Sequence, residues 1–458
     1  MASTSPQATA RRNTELGLVV MAAAITAIAY TLAALGTNSQ IPARIIPFLV
    51  ALLGLLLSAH VANRVLAPGA DSTLLPLAVL LNGVGYVVIA RLSTRLAGLQ
   101  TTWTFIAIAA FAAVLLFVQR PADLARFQWT FLFVGAGLLM LPLVPGLGTS
   151  VGGARIWVHL GPVNFQPGEF AKIALALFFA GYLADNADAI KQSARTIGPL
   201  HIPDLRYLLP ITLAWAFAIA VMVAEKDLGS ALLFFTLFTV ILWVATGRAI
   251  FLLVGLVLFS AAAYVAWLLF DVVRTRVDIW LDPWSQYEGK GYQIVQAMFA
   301  FANGGTGGTG LGLGSPTKIP AAKTDYIFAA IGEEMGLLGA TAVLVAFLLL
   351  LGAGLRVAMR ATQPFNQLLA VGLTTIIGMQ AFIIIGGVIR VVPLTGITLP
   401  FVSYGGSSLL ANWVLLALLV RLSHHNAARA HEVGDDLSPT ERWTYWRVRR
   451  AEKKAARS

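Results

Sequence analysis

Residues 323–355 read KTDYIFAAIGEEMGLLGATAVLVAFLLLLGAGL, a short polar entry followed by an apolar run that begins at Tyr326. About 20 apolar residues in a helix are enough to cross the hydrocarbon core of a bilayer, so 326–355 predicts a transmembrane helix. Three acids stand at its entrance: Asp325 at the junction, and Glu333 and Glu334 inside the run. Ionisable groups at membrane depth are costly, which makes them the first place to look for function. Asp325 has a plainer reading as a helix N-cap, but Thr324 can do that alone. Glu333, about 12 Å further along the axis of an unbroken helix, suggests a polar cleft running inward.

The rest of the chain repeats the apolar pattern. Of 458 residues, 58% are hydrophobic and only 12% charged, with a mean hydropathy of +0.79. A water-soluble domain of that composition would carry a grossly exposed apolar surface. The expected fold is therefore all-α, a polytopic transmembrane helix bundle. Its twelve spans are placed at 16–36, 43–63, 73–91, 102–119, 128–147, 168–185, 207–224, 228–246, 249–270, 326–355, 367–388 and 397–422. The first follows Arg11 and Arg12, is long and has no small-residue cleavage site after it, so it reads as a retained helix.

Lys and Arg set the orientation, because positive loops stay in the cytoplasm. With both termini inside, the inner loops carry Arg64, Arg120, Arg126, Lys191, Arg195, Arg206, Arg248, Arg356 and Arg360. The tail adds Arg442, Arg447, Arg449, Arg450, Lys453, Lys454 and Arg457. These loops and this tail account for much of the net charge of +11. Topology and contact with anionic membrane lipids explain that charge better than nucleic-acid binding does. The absence of cysteine excludes disulfides, thiolate metal sites and cysteine nucleophiles.

Two long loops then face outward, 148–167 and 271–325. Loops of that length are usually functional or disordered. The second holds Trp280, Trp284, Tyr287, Tyr292 and the run IVQAMFAFA, so a short amphipathic helix lying on or dipping into the outer membrane surface is expected. NGGTGGTGLGLGSP follows; no strand precedes it, which disfavours a dinucleotide site, and close backbone approach or a hinge fits its glycines better. In QPGEFAK, Glu169 and Lys172 are spaced i, i+3 at a helix start, readable as a structural ion pair or as substrate contacts. In AEKDLGSAL, Asp227 is placed to cap the following helix. PLTGITLPFVSYGGSSLLANW interrupts an apolar segment with prolines and glycines, and such backbone persists at membrane depth only inside protein or along a cavity.

GARIW, FQPGEFAK, EKDLGSA, WLDP with GYQIVQA, the glycine-rich loop, TDYIFAAIGEEMGLLG and LPFVSYGGSSL occur in this order over about 70–422. In this the chain resembles the RodA/FtsW (SEDS) family of peptidoglycan glycosyltransferases. The resemblance implies a SEDS-like core of ten helices at 67–422, preceded by a cytoplasmic N-terminus at 1–15 and an extra pair of helices at 16–66, as in actinobacterial members. A basic cytoplasmic tail at 423–458 completes the organisation. It further implies polymerisation of lipid II at the outer face of the cytoplasmic membrane, without a nucleotide cofactor, and a class B penicillin-binding protein partner that crosslinks the strands.

Residue by residue, Asp325 matches the family's essential aspartate. Trp157 matches the tryptophan of its RW motif, Glu169 and Lys172 its QPSE-K pair, and Glu333 and Glu334 its paired glutamates. Ser403 lies in the last motif. Asp227 and Glu334 are expected to support the site, the others to contact substrate. The chain departs from the pattern at Arg155, one position early with Ile156 in its place; at EKDLG for the common QPDLG; and at Gly168 for the usual serine.

Glycosyl transfer needs a base at the acceptor hydroxyl and positive charge or donors at the departing diphosphate. Asp325 is the candidate base, and inversion at the anomeric carbon is implied by the resemblance. Lys172, Lys318, Lys323 and Arg390 are candidates for the diphosphate. A divalent cation, Mg2+ or Mn2+, is able to bridge that group, but no acid cluster identifies its ligands. SYGGSS favours an elongation-type, RodA-like enzyme over a division-type, FtsW-like one. A lipid II flippase or other transporter is the rival from a different class, since broken helices and membrane acids occur there too. A structural scaffold for the wall machinery is a third reading.

Overall fold

The computed structural model describes residues 6–39, 45–151, 154–161, 163–192, 195–197, 200–202 and 205–435. The N-terminal pair is α1 (Pro6–Asn38) and α2 (Ile45–Leu66), followed by α3 (Leu74–Leu92), α4 (Thr94–Phe117) and α5 (Gln128–Met140). A three-stranded antiparallel sheet, β1 (Gly148–Val151), β2 (Ala154–Leu160) and β3 (Val163–Phe165), leads into α6 (Gly168–Gln192). After a small hairpin of β4 (Arg195–Ile197) and β5 (Leu200–Ile202) come α7 (Leu205–Ala224), α8 (Leu228–Thr246) and α9 (Ile250–Leu269). The 271–325 segment holds α10 (Asp271–Leu281) and α11 (Tyr292–Gly304). The chain closes with α12 (Ile327–Arg360), α13 (Pro364–Val388) and α14 (Gly406–Asp435).

Among the described residues, eleven helices are long and apolar enough to cross a membrane. The expected twelfth span is α2, whose apolar stretch runs over Val50–Leu66. The protein is therefore a multi-pass membrane helix bundle. Its centre is α14, α13, α3 and α6, whose spans are 83%, 78%, 72% and 67% buried, whereas only 6% of the α9 span is covered by protein. An apolar helix left bare in this way faces lipid rather than a core.

The interhelical contacts sort into two ends, as a chain that crosses repeatedly requires. At one end Asp71 N donates to Ser423 Oγ, Gly69 N to His424 Nδ1, and Arg356 Nη2 to Thr73 Oγ1. At the other, Arg91 Nη2 donates to Gly314 O, Gln166 N to Ser407 Oγ, and Tyr404 N to Lys323 O. Asp325, Asp227, Trp157 and the SYGG segment all belong to this second end.

Several expectations need correction. The 148–167 loop is a sheet: Arg155, Trp157 and His159 alternate with Ile156 and Val158, the period of a strand, and Thr149 pairs with Trp157. The last span is helical only from Gly406, because Pro400 and the glycines on either side leave 397–405 without helix. The tail boundary at 423 falls inside α14, and the basic residues from 436 to 458 lie outside the described residues. The amphipathic helix exists as α11, but Ile294, Val295, Ala297 and Ala300 are buried, and Phe301 meets Phe328 of α12 at 6.1 Å. That face of α11 thus packs on protein, while Phe299 stays exposed.

The largest correction concerns the opening stretch. The 326–355 helix is broken at Gly336, with φ 67° and ψ −167°, a conformation that glycine tolerates and other residues do not. The glycine-rich loop enters the break and takes up the groups it frees. Leu337 N donates to Gly305 O at 2.9 Å and Leu338 N to Thr306 O at 3.2 Å. On the near side, Thr309 N and Gly310 N donate to the carbonyls of Glu333 and Glu334 at 2.9 and 3.0 Å. These four bonds pair backbone groups on both sides of the break, as a break inside an apolar helix requires.

Candidate active site

Asp325 occupies the last turn before α12. Thr324 N and Tyr326 N both donate to Ala321 O, at 3.0 and 3.1 Å, and close that turn. Neither Thr324 nor Asp325 caps the helix, as the sequence suggested; the N-cap position is Tyr326 and has no side-chain cap. Instead the turn is held from the SYGG segment. Tyr404 N donates to Lys323 O at 2.9 Å and Ser403 Oγ to Thr324 O at 2.6 Å, while Ser403 Oγ accepts from Leu399 N at 3.0 Å. Ser403 is 4% exposed, so the structure places it as the pin behind Asp325 rather than as a substrate contact.

Asp325 is half-buried, set into the protein with part of the residue still exposed to solvent. Arg276 of α10 stands opposite, and its Nη1 donates to Thr395 O at 2.9 Å. Gly396, at φ +81°, borders both: a Cβ there would be 3.6 Å from Asp325 Oδ2 and 3.8 Å from Arg276 Nη2, in van der Waals contact with each. With no side chain at 396, that point beside carboxylate and guanidinium stays open. Burial raises the Asp325 carboxyl and outweighs the opposing effects of Arg276 and a hydrogen bond from Thr324, for a net value of about 6. A carboxylate titrating there serves as a base near neutral pH.

Asp227 adds a second acid on the same side. Its Oδ1 accepts from Ser230 N at 3.0 Å, so the expected cap of α8 is made. Burial raises its carboxyl, the Ser230 hydrogen bonds and Lys172 oppose this, and Glu169 reinforces it. Neighbouring Glu225, 4% exposed, is pushed up to about 8 by burial, with Asp227 adding to the effect. Asp227 and Asp325 both act on Arg276. Glu169, Lys172, Asp227, Arg276 and Asp325 thus form one electrostatic row along this end of the bundle.

The Glu169/Lys172 pair is a closed contact, Nζ to Oε2 at 2.8 Å, with both residues under 5% exposed. Trp157 is half-buried in the middle strand of the sheet that feeds α6. Arg155 N donates to Glu225 O at 2.9 Å and Arg155 Nη2 to Val144 O at 3.3 Å, which fastens the sheet to the turn that carries Asp227.

The other expected contacts are placed elsewhere. Arg390, at φ 62°, donates through Nη2 to Trp280 O and Leu281 O at 2.7 and 3.2 Å and accepts at its carbonyl from Trp280 Nε1 at 2.9 Å. It locks α10 to the end of α13. Glu334 Oε2 accepts from Gly312 N at 3.1 Å and Glu333 Oε1 from Ser315 N at 3.0 Å, while Arg91 Nε lies 3.3 Å from Glu334 Oε1. Both glutamates therefore clip the glycine loop and stand apart from the Asp325 recess. Lys318 and Lys323 are exposed; Lys318 shares a cavity of about 180 Å³ with Glu333, Ser315 and Asn303. A larger cavity of about 1000 Å³ lies between α11, α12 and α13 and is mostly apolar, with Arg390 and Trp280 in its wall and Asp325 outside it.

Arg276 was not singled out in the sequence. The available signal was DVVRTRVDIWLDP, where a cation sits on a mixed-charge helix just before the WLDP motif on the outward side. Among the described residues, no group of three or more His, Asp or Glu side chains stands together as a metal site.

The model of the FtsW/RodA/SpoVE cell cycle protein family matches residues 72–428. Peptidoglycan glycosyltransferase RodA of Mycobacterium tuberculosis is 42% identical over 431 residues, 92% of each chain. The RodA of Mycobacterium leprae is 40% identical over the same shares. A probable peptidoglycan glycosyltransferase FtsW of Geobacter metallireducens is 36% identical over 62% of this chain and 74% of its own. Among solved structures, one described as structural coordination of polymerization and crosslinking by a peptidoglycan synthase complex matches with a TM-score of 0.65. It is 28% identical and covers 78% of this chain and 98% of the other. The crystal structure of the rod shape determining protein RodA from Thermus thermophilus matches with a TM-score of 0.55 at 26% identity, over 78% of this chain and 97% of that one.

Proposed function

The chain belongs to the FtsW/RodA/SpoVE family, and from that membership together with the Asp325 recess we infer that it is an elongation-type peptidoglycan glycosyltransferase that polymerises lipid II. The observation that carries the reading is the pairing of a carboxyl raised to about 6 with the Arg276 guanidinium beside Gly396. One recess then offers a base and a fixed cation, the two things glycosyl transfer from a diphosphate needs.

In this reading the ionised Asp325 takes the proton from the acceptor sugar 4-hydroxyl. That oxygen bonds to the donor's anomeric carbon, the bond from that carbon to the diphosphate oxygen breaks, and the electron pair leaves on the polyprenyl diphosphate. Arg276 faces the negative charge that develops there, with Lys318 and Lys323 as exposed cations further along the same chain segment. Trp157 forms a wall of the substrate cleft. The apolar cavity between α11, α12 and α13 suits the polyprenyl chain. A divalent cation would be held mainly by the substrate's phosphates, as Mg2+ commonly is, and no step above depends on it.

We place both termini in the cytoplasm and the Asp325 end of the bundle at the outer face of the cytoplasmic membrane, on the strength of the Lys/Arg distribution. A class B penicillin-binding protein would crosslink the product. Purified protein, given fluorescent lipid II and such a partner, should yield glycan strands that lengthen with time; unchanged lipid II under conditions where a control polymerase acts would overturn the proposal.

A further inference from the structure

The glycine loop that fills the break in α12 has a second neighbour. Its opposite side rests on the end of α1, backbone against backbone. A Cβ on Gly36 would stand 2.3 Å from Leu311 O, and one on Gly312 would stand 2.3 Å from Ala33 O and 2.9 Å from Thr37 N. Real Cβ contacts do not reach such distances, and the atoms met are backbone, so neither side can yield by rotating a side chain. Thr37 Oγ1 donates back to Ala33 O at 2.8 Å, closing the helix turn that receives the loop. The loop is therefore sandwiched between α1 and the broken helix, with Glu333, Glu334 and Arg91 clipping it from the α12 and α3 side. From Ser315 the chain runs through a short 3-10 turn at Pro316–Lys318 directly to Asp325.

We propose that α1 is a brace for the glycine loop, with Gly36 as its positioning residue, and that it sets the placement of the 315–325 segment that presents Lys318 and Asp325. The family match begins at residue 72, after α1 and α2, so the brace is supplied by the part of the chain that precedes the shared core. The catalytic half of the idea rests on the glycosyltransferase reading; the structural half does not.

Gly36→Ala is the test, with Gly17→Ala as its control in the same helix, since nothing lies within 4 Å of a Cβ at Gly17. Hydrogen exchange on the full-length protein in detergent should show faster exchange at Thr309, Gly310, Gly312 and Ser315 in Gly36→Ala, with α13 and α14 unchanged, and no difference in Gly17→Ala. Turnover of lipid II should fall about tenfold or more, because displacements of about 1 Å near reacting groups cost on that scale. The acid limb of its pH profile should also move, which a smaller active fraction alone would not cause. If Gly36→Ala fails to fold, the loop side serves: Gly312→Ala should loosen the loop more than Gly310→Ala. Both glycines have positive φ, but a Cβ at Gly310 meets chiefly the movable Leu313 side chain. Unchanged loop exchange in the first pair, or equal effects in the second, would overturn the brace. Faster loop exchange with unchanged turnover and an unmoved acid limb would overturn its positioning role. If the wild-type protein does not polymerise lipid II at all, the glycosyltransferase reading fails, and the exchange comparison still decides the brace.

Discussion

Replacing Arg276 with Gln separates two things the guanidinium does, holding a diphosphate and setting the titration of Asp325. The two groups lie 3.8 and 3.6 Å from the same point, the place of a Cβ on Gly396, which puts them within about 7 Å of each other. Unit charges about 7 Å apart at an effective dielectric of about 20 interact by about 2 kcal/mol. Asp325 is partly exposed to solvent, and screening there reduces this to about 1 kcal/mol, or about 0.7 of a pH unit. A positive neighbour favours the ionised carboxylate, so removing it raises the carboxyl further, from about 6 to about 6.7. The base form is present above that value and lost as pH falls through it. The ionised fraction at pH 6 should fall from about one half to about one sixth, with almost no change at pH 8. Loss of a diphosphate contact would lower activity at every pH and leave the shape alone. Measuring kcat/KM for lipid II from pH 5 to 8.5, each enzyme normalised to its own plateau, isolates the shape, since this ratio reports the free enzyme. Superimposable normalised profiles, or an acid limb displaced to lower pH, would refute the electrostatic coupling.

Asp325→Asn should leave membrane levels and the melting profile near wild type while glycan strands disappear, and near-normal polymerisation would remove Asp325 from the role of base. Lys172→Ala leaves Glu169 buried without its partner, so the thermal midpoint in detergent should drop by the equivalent of about 3–5 kcal/mol; an inactive variant of full stability would point to a direct phosphate contact instead. Ser403→Ala removes the bonds to Thr324 O and from Leu399 N and should cost about 1–2 kcal/mol, with a larger fractional loss of turnover than Gly17→Ala shows. A lone cysteine at Ser285 should react with a membrane-impermeant maleimide on intact cells stripped of outer barriers, and one at Thr362 only after lysis; the reverse pattern would put Asp325 on the cytoplasmic side.

The parts of this molecule that were legible in its sequence are those governed by near neighbours. Apolar runs mark the helices, the i, i+3 spacing of Glu169 and Lys172 becomes a 2.8 Å ion pair, and Asp227 caps the helix it precedes. Where partners are distant in sequence, residue type alone misleads. Glu333 and Glu334 read as a polar cleft because nothing local reveals that glycine-loop amides return to meet them. Arg390 reads as a cation for the diphosphate, yet its Nη2 is taken by two carbonyls of α10. Arg276 was missed because its significance lies in Asp325 and Thr395, which only the fold brings near. The capping of α12 eludes the sequence for the same reason: the Asp325 turn is held by Ser403 and Tyr404, which are distant in sequence, and not by a side-chain cap.

Those distant contacts also explain why irregular backbone can carry the site at all. Away from bulk water, each unpaired N–H or C=O is expensive, so a non-helical segment persists only if nearly all its groups find partners. Here several such groups are paired across the fold: 323–324 with Ser403 and Tyr404, Thr395 O with Arg276, Trp280 with Arg390, and the break in α12 with the glycine loop. A segment pinned at so many points cannot shift without breaking several bonds together. Asp325 is therefore held in one place before substrate arrives, and preorganised groups are what stabilise charge developing in a transition state. The same hydrogen bonds that let the chain leave helical geometry hold its carboxylate still.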